Sequence, residues 1–386
     1  MNNTSLNLKQ EFLIDPNVVF LNHGSFGATP RPVFERYQNL QRELECEPVE
    51  FLGRNANSLL SIARSSLAAY LGTERDNLVY VTNVTEALNI VAHSLNLGEA
   101  DEVLASNMEY GAIDRTWRFL AQKQGFKYIN QSVSVPVQNQ DQVINNIWQG
   151  VSERTRIIFL SHISSSTAMI FPVKEICRRA KELGIITIID GAHAPGQINI
   201  NLADIGADFY GGNCHKWLCA PKGSGFLYAA PDFQHLIQPL IVSWGWQSET
   251  PGSSQFIDYL EWTGTRDISA FLAVPDAIRY QQERDWPNVR EECHLLARQA
   301  IHQISALTGL APLYPAKSQL YAQMATARLP DNTDCVQLQK ALWDQYRIEI
   351  PLINWNGIKL IRFSFQAYNS ILDLDFLTAA LKELLY

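Results

Sequence analysis

Lys216 stands in the run Asn213-Cys214-His215-Lys216-Trp217, after Tyr210-Gly211-Gly212 and ahead of Pro221-Lys222-Gly223-Ser224-Gly225. A lone lysine is ordinarily a solvated surface charge. One that follows a strand and a Gly-rich turn, between a histidine and a tryptophan, is placed for burial and a lowered pKa, which a Schiff-base lysine needs. Asp190 ends the β-branched run Ile185-Ile186-Thr187-Ile188-Ile189 and opens Asp190-Gly191-Ala192-His193. A carboxylate at the end of a buried strand is either a cap or turn residue, or a charge that must be paired, for instance with a protonated ring nitrogen. His193 reads as a loop histidine or as a hydrogen-bonding partner for a ring substituent. Thr85 sits in Thr82-Asn83-Val84-Thr85-Glu86, where a helix begins. Alone it reads as a cap; with free backbone N–H groups and the positive helix end it also reads as a phosphate site.

Taken singly these signals are unspecific, and it is their order along the chain that carries information. A phosphate site, a pyridinium partner and an imine-forming amine are the three fixtures that hold pyridoxal 5′-phosphate (PLP) as an electron sink. Other constellations fit less well. His162, His193 and His215 with Asp190 can be drawn as a metal cluster, but their spacing follows successive strand ends, and no metal is expected. Gly211-Gly212 and Gly223-Ser224-Gly225 do not form the G-x-G-x-x-G of a dinucleotide enzyme.

The elements around these residues alternate. Asn77–Thr82 reads as a strand, 86–95 as a helix, Glu102–Ser106 as a strand, Thr116–Lys123 as a helix, Arg156–Ser161 as a strand, Val173–Leu183 as a helix and Ile185–Ile189 as a strand. Strands that are apolar on both faces suit a mostly parallel sheet covered on both sides by helices. In such a sheet ligands bind at the carboxyl ends of the strands, where Asp190 and Lys216 fall. Beyond about 273 the texture changes. A helix is predicted over Pro275–Arg298, strands over Gln323–Leu329 and Lys359–Phe365, and helices over Cys335–Tyr346 and Leu372–Leu385. The expected organisation is an N-terminal segment, 1–30, packing across both domains, a large α/β domain, 31–274, and a smaller α+β domain, 275–386.

The chain has 386 residues, 46% hydrophobic and 18% charged, with net charge −8, and so has material for a sizeable core. Its acidity and lack of basic runs argue against nucleic acid and anionic membranes as partners. No apolar stretch approaches the roughly 18 residues of a membrane span, and the first residues, MNNTSLNLKQEF, lack a signal core. Six scattered cysteines without a C-x-x-C pair read as free thiols in a reducing, cytoplasmic setting.

The order Ser161-His162-Ile163-Ser164, Asp190-Gly191-Ala192-His193, His215-Lys216-Trp217 resembles the class V aminotransferase family of PLP enzymes, fold type I, over nearly the whole chain. Phe20-Leu21-Asn22-His23-Gly24-Ser25-Phe26-Gly27, Asn107-Met108-Glu109-Tyr110-Gly111 and Val242-Ser243-Trp244-Gly245-Trp246 look most like its isopenicillin N epimerase-like branch. The resemblance implies that Lys216 forms the Schiff base, that Asp190 pairs with the pyridine nitrogen and that His193 lies near the ring hydroxyl. Val84, Thr85, Asn213 and His215 would hold the phosphate, and Tyr110 would stack on the ring. Thr265, in Trp262-Thr263-Gly264-Thr265-Arg266, would reach the phosphate of a neighbouring subunit, implying a homodimer with shared sites. Arg362 would grip the carboxylate of an amino acid substrate as a bidentate fork, with Asn22 and His23 folding over that substrate.

Desulfurases of the family carry a nucleophilic cysteine shortly before the substrate arginine. Here the stretch is Ile348–Gly357, without cysteine, which argues against persulfide chemistry; Cys214 reads as a buried filler. Where some relatives place an asparagine, this chain has Ser164-Ser165-Ser166. Epimerisation at the α-carbon is the branch's implication, with a C–S lyase or aminotransferase as the alternative and a non-catalytic member as the third reading. An epimerase needs a second proton donor; Tyr110 is the first candidate and His23 the runner-up.

Overall fold

In the computed structural model, which describes residues 8–386, the apolar runs become strands that bury alternate side chains on opposite faces. The strands are β1 (Val19–Phe20), β2 (Leu78–Val81), β3 (Glu102–Ser106), β4 (Lys127–Gln131), β5 (Thr155–Ser161), β6 (Ile186–Gly191), β7 (Phe209–Asn213), β8 (Gly225–Ala229), β9 (Met324–Arg328), β10 (Ile348–Glu349), β11 (Leu352–Trp355) and β12 (Ile358–Ser364). Seven of them form one sheet in the order β2-β8-β7-β6-β5-β3-β4. Only β8 runs against its neighbours, so the sheet is mixed but mostly parallel. Along β5, Ile157 and Phe159 join one apolar cluster while Ile158 and Leu160 join the other. This two-sided burial is why the strands read as unbroken apolar runs. The architecture is the α/β arrangement expected from the sequence, a mostly parallel sheet between helices with a smaller second sheet.

A second sheet, β11-β12-β9, is antiparallel. It packs with the helices Trp286–Thr308, Cys335–Tyr346 and Ile371–Leu385. The predicted helix over Pro275–Arg298 is corrected to two, Val274–Gln282 and Trp286–Thr308. Asp285 between them has φ of 45°, and Pro287 in the following first turn has no N–H to continue a helix. The helix predicted from Thr116 begins earlier, at Gly111.

Of the N-terminal segment, residues 1–7 lie outside the described range. Its later part touches both sheets' surroundings: β1 pairs with β10, Asn22 bridges to Ser364, and Thr29 Oγ1 donates to the Ala220 carbonyl. Gly27, at φ 70°, lies so close to the lysine-bearing loop that a Cβ there would stand 2.1 Å from the His215 carbonyl oxygen. Only glycine combines that conformation with that approach. Among the described residues no helix is long and apolar enough to cross a membrane.

Candidate active site

The carboxyl ends of the parallel strands open into a cleft of about 430 Å³, lined among others by Thr85, Tyr110, Asp190, His193, Asn213, His215 and Lys216. At one end the helix Val84–Ser94 presents its N-terminus. Asn83 caps it, accepting the Glu86 N–H at 3.0 Å, and Asn213 Oδ1, from the end of β7, accepts the Val84 N–H at 3.0 Å. The Val84 N–H expected to face a phosphate is therefore already bonded within the chain. Among the described residues no acceptor is found for the Thr85 N–H or hydroxyl, which leaves them as donors beside the positive helix end.

His215 Nδ1 lies 2.9 Å from the Ser224 carbonyl oxygen, which can only accept, so the proton sits on Nδ1 and Nε2 carries a lone pair. Burial, with Lys216 and Lys222 nearby, lowers its pKa to about 4. To bind an anion His215 must take up a proton, which a phosphate dianion alongside would favour.

Asp190 is buried at the end of β6 and accepts the Ala192 N–H at 2.9 Å. Burial raises its pKa, offset in part by that N–H and by Lys216. The Lys216 pKa falls to about 8, first because its amine is removed from water; Asp190 works against that shift and Arg362 with it. Lys216 Nζ lies 3.3 Å from His193 Nε2, and the Trp217 indole Nε1 lies 3.3 Å from His193 Nδ1.

Arg362 on β12 is buried behind the cleft wall. Nη1 donates to the Ser165 carbonyl and, at 3.1 Å, to its hydroxyl; Nη2 donates to the Ser25 hydroxyl at 3.1 Å; buried Nε has no partner among the described residues. Ser25 and Ser165 line the cleft and Arg362 does not. Asn22 is likewise set back, accepting from the Ser25 hydroxyl at 2.6 Å and donating to Glu349 at 2.9 Å.

His23 is withdrawn from the cleft. It is wholly buried, with Nδ1 2.8 Å from the Tyr368 hydroxyl and Nε2 3.0 Å from the Lys216 carbonyl. Burial lowers its pKa to about 3, so near neutrality it is the uncharged imidazole, and its one N–H is donated to the Lys216 carbonyl. Thr265 is exposed and does not line this chain's cleft. Tyr110 lies at the mouth of the cleft, 48% exposed. His162 turns its Nδ1 to the Tyr210 hydroxyl at 2.9 Å instead of joining the others. In the stretch Ile348–Gly357, Trp355 Nε1 donates to the Asn107 carbonyl at 3.1 Å.

One carboxylate was not anticipated. Glu109, just before Tyr110, accepts from the Ser106 hydroxyl at 2.5 Å and from the Ser161 N–H and hydroxyl at 2.8 and 2.7 Å. Ser161 pairs in register with Asp190, so a second acidic group lies behind the first. Desolvation raises the Glu109 pKa to about 7 against three hydrogen bonds that favour the ionised form. The available signal was a lone glutamate between a strand and a helix start.

Residues 19–377 match the family described as Aminotransferase class-V. The chain is 38% identical to isopenicillin N epimerase of Amycolatopsis lactamdurans over 98% of each chain, and 36% identical to that of Streptomyces clavuligerus over 96% of each. Among solved structures, a variant of C-DES with glycine covalently linked to its PLP cofactor superposes with TM-score 0.83 at 20% identity, over 95% of this chain and 97% of that one.

Proposed function

The chain belongs to the class V aminotransferase family of PLP enzymes, and from that premise we propose that it is an epimerase acting at the α-carbon of an amino acid, of the isopenicillin N epimerase kind. The observation that carries this reading is the meeting, in one cleft, of a recessed low-pKa amine, a buried carboxylate and a helix N-terminus with unengaged donors. That set fits the cofactor: Lys216 for the aldehyde, Asp190 for the ring nitrogen, and Thr85, Asn213 and His215 around the phosphate. When bound, PLP supplies an electron-poor ring that stabilises negative charge at the substrate α-carbon.

The chain's residues do the rest. Asp190 holds a proton on the ring nitrogen, because an ion pair relieves the desolvation of both partners. His193 donates toward the ring oxygen. Val84 shapes the helix end, its N–H given to Asn213 and not to the phosphate. Lys216, once free of the cofactor, takes the α-proton, a task suited to an amine of pKa about 8. Arg362 holds the substrate carboxylate by exchanging its serine acceptors for a charged one. Asn22 supports that site through Ser25. The second proton comes from Tyr110, a half-exposed residue of the cleft wall that carries a phenolic hydroxyl.

The working unit is a homodimer with shared sites. Support comes from Thr265, exposed and off its own cleft, and from the exposed run Leu240, Ile241, Val242, Trp244 and Trp246. So large an apolar surface is costly to leave in water.

Borohydride reduction followed by peptide mass analysis should place the cofactor on Lys216, and Lys216→Ala should abolish both adduct and turnover. A panel of L-amino acids and short amino-acid derivatives, read for D-product, sulfide, pyruvate and keto acid, tests the reaction. D-product without the others supports the epimerase; sulfide or pyruvate makes it a lyase, and keto acid a transaminase.

A further inference from the structure

We propose that Trp217 is a positioning residue: its indole N–H fixes the tautomer of His193, so that Lys216 meets the cofactor's aldehyde as a free amine. The proposal rests on the reading that Lys216 is the covalent anchor.

The argument is one of donors and acceptors. An indole nitrogen can only donate. Trp217 Nε1 points at His193 Nδ1 from 3.3 Å, so Nδ1 must present its lone pair. A neutral imidazole that accepts at Nδ1 carries its proton on Nε2. That Nε2–H faces Lys216 Nζ at 3.3 Å. An ammonium has three donors and no acceptor, and would set N–H against N–H. A free amine has a lone pair for the imidazole to donate to. The contact is therefore satisfied only when Lys216 is uncharged.

The packing holds this relay in place. Trp217 is fully buried, and its carbonyl accepts from Gln281 Nε2 at 2.8 Å. The His193 carbonyl accepts from Gln197 Nε2 at 2.7 Å. Gly196 lets the two loops touch: a Cβ there would lie 2.2 Å from the Trp217 carbonyl.

The charged and titratable groups facing the pair divide. Asp190, from β6, favours the ammonium; Arg362, from β12, opposes it; His23 and His215 stand near the imidazole. Burial lowers both pKa values, Lys216 to about 8 and His193 well below its ordinary value. That direction agrees with the hydrogen-bond geometry, which makes the same demand independently.

Two measurements test this on the full chain freed of cofactor. The first is the tautomer of His193 in wild-type protein, by ¹⁵N–¹H correlation on histidine-labelled material, assigned by the signal lost in His193→Gln. Protonation at Nε2 is expected; protonation at Nδ1 overturns the proposal, and no folding of an indole variant is needed to decide it. The second is the rate of PLP capture against pH, with borohydride trapping to confirm the site. In Trp217→Phe, Nδ1 is released, the proton can move to it, and Nε2 becomes an acceptor for the ammonium. A rise of one unit in the amine pKa makes capture about tenfold slower at pH 7, with the difference vanishing near pH 10. An unchanged pH profile in Trp217→Phe overturns the proposal. Trapping at a residue other than Lys216 overturns instead the reading beneath it, and the peptide mass tells the two failures apart.

Discussion

Removing the Arg362 side chain should cost activity in proportion to a specific exchange of hydrogen bonds. Arg362 is 5% exposed, and the two terminal nitrogens of its guanidinium rest on Ser165 and Ser25, groups without charge. A substrate carboxylate replaces neutral acceptors with charged oxygens at both nitrogens. The guanidinium is charged in either case, so what the exchange adds is a hydrogen-bonded charge pair, and losing one partner of such a pair costs about 2–3 kcal/mol at the low end. At 1.36 kcal/mol per factor of ten, kcat/KM for the Arg362→Ala variant should fall about 30- to 160-fold. Arg362→Lys keeps a charge but not the fork, and should recover only part of the loss. The assay compares an amino acid with the corresponding amine lacking the carboxylate, using exchange of the α-hydrogen as a common readout. The amine should react poorly with wild type and lose little further in Arg362→Ala. Equal losses for both compounds would mean that the substitution damages the fold or the cofactor site, and the carboxylate assignment would be refuted.

Three further outcomes are expected. Asp190→Asn should retain the cofactor through its phosphate yet slow α-proton removal about 10²- to 10³-fold, or about 3–4 kcal/mol of barrier; wild-type turnover would contradict its place at the ring nitrogen. Tyr110→Phe should lose at least about tenfold in epimerisation while α-deuterium washout from the L-substrate persists, since a lost hydroxyl proton affects only the second transfer; equal loss of both would limit Tyr110 to stacking. Thr265→Ala should weaken cofactor retention about tenfold, one hydrogen bond to a charged acceptor, in a protein that light scattering finds dimeric; a fully loaded, active monomer would reject shared sites.

Much of this was readable from local pattern. The two-faced apolar runs of β3, β5 and β6 required a covered sheet, and residue order placed Asp190 and Lys216 at its carboxyl edge. Both inferences depend only on near neighbours: side-chain alternation within a strand and the turn that follows it. The weakly patterned strands did not show. β4 is largely open to solvent, and β10 and β1 are two residues each, too short for periodicity to register.

What only the tertiary structure decided is the state of each titratable group, because that depends on partners distant in sequence. His23 looked able to face a substrate; Tyr368, 345 residues away, and the Lys216 carbonyl take both its nitrogens in the core. The Arg362 fork was legible as a fork, but not its engagement by Ser25 and Ser165. Glu109 carries no local signal of its role; β5 lays Ser161 beside it and Asp190 behind. The types and order of residues determined which chemistry this chain can host. Burial and long-range hydrogen bonding determined which residues hold protons for it, because a pKa answers to solvation and nearby charge, and neither is a property of local sequence.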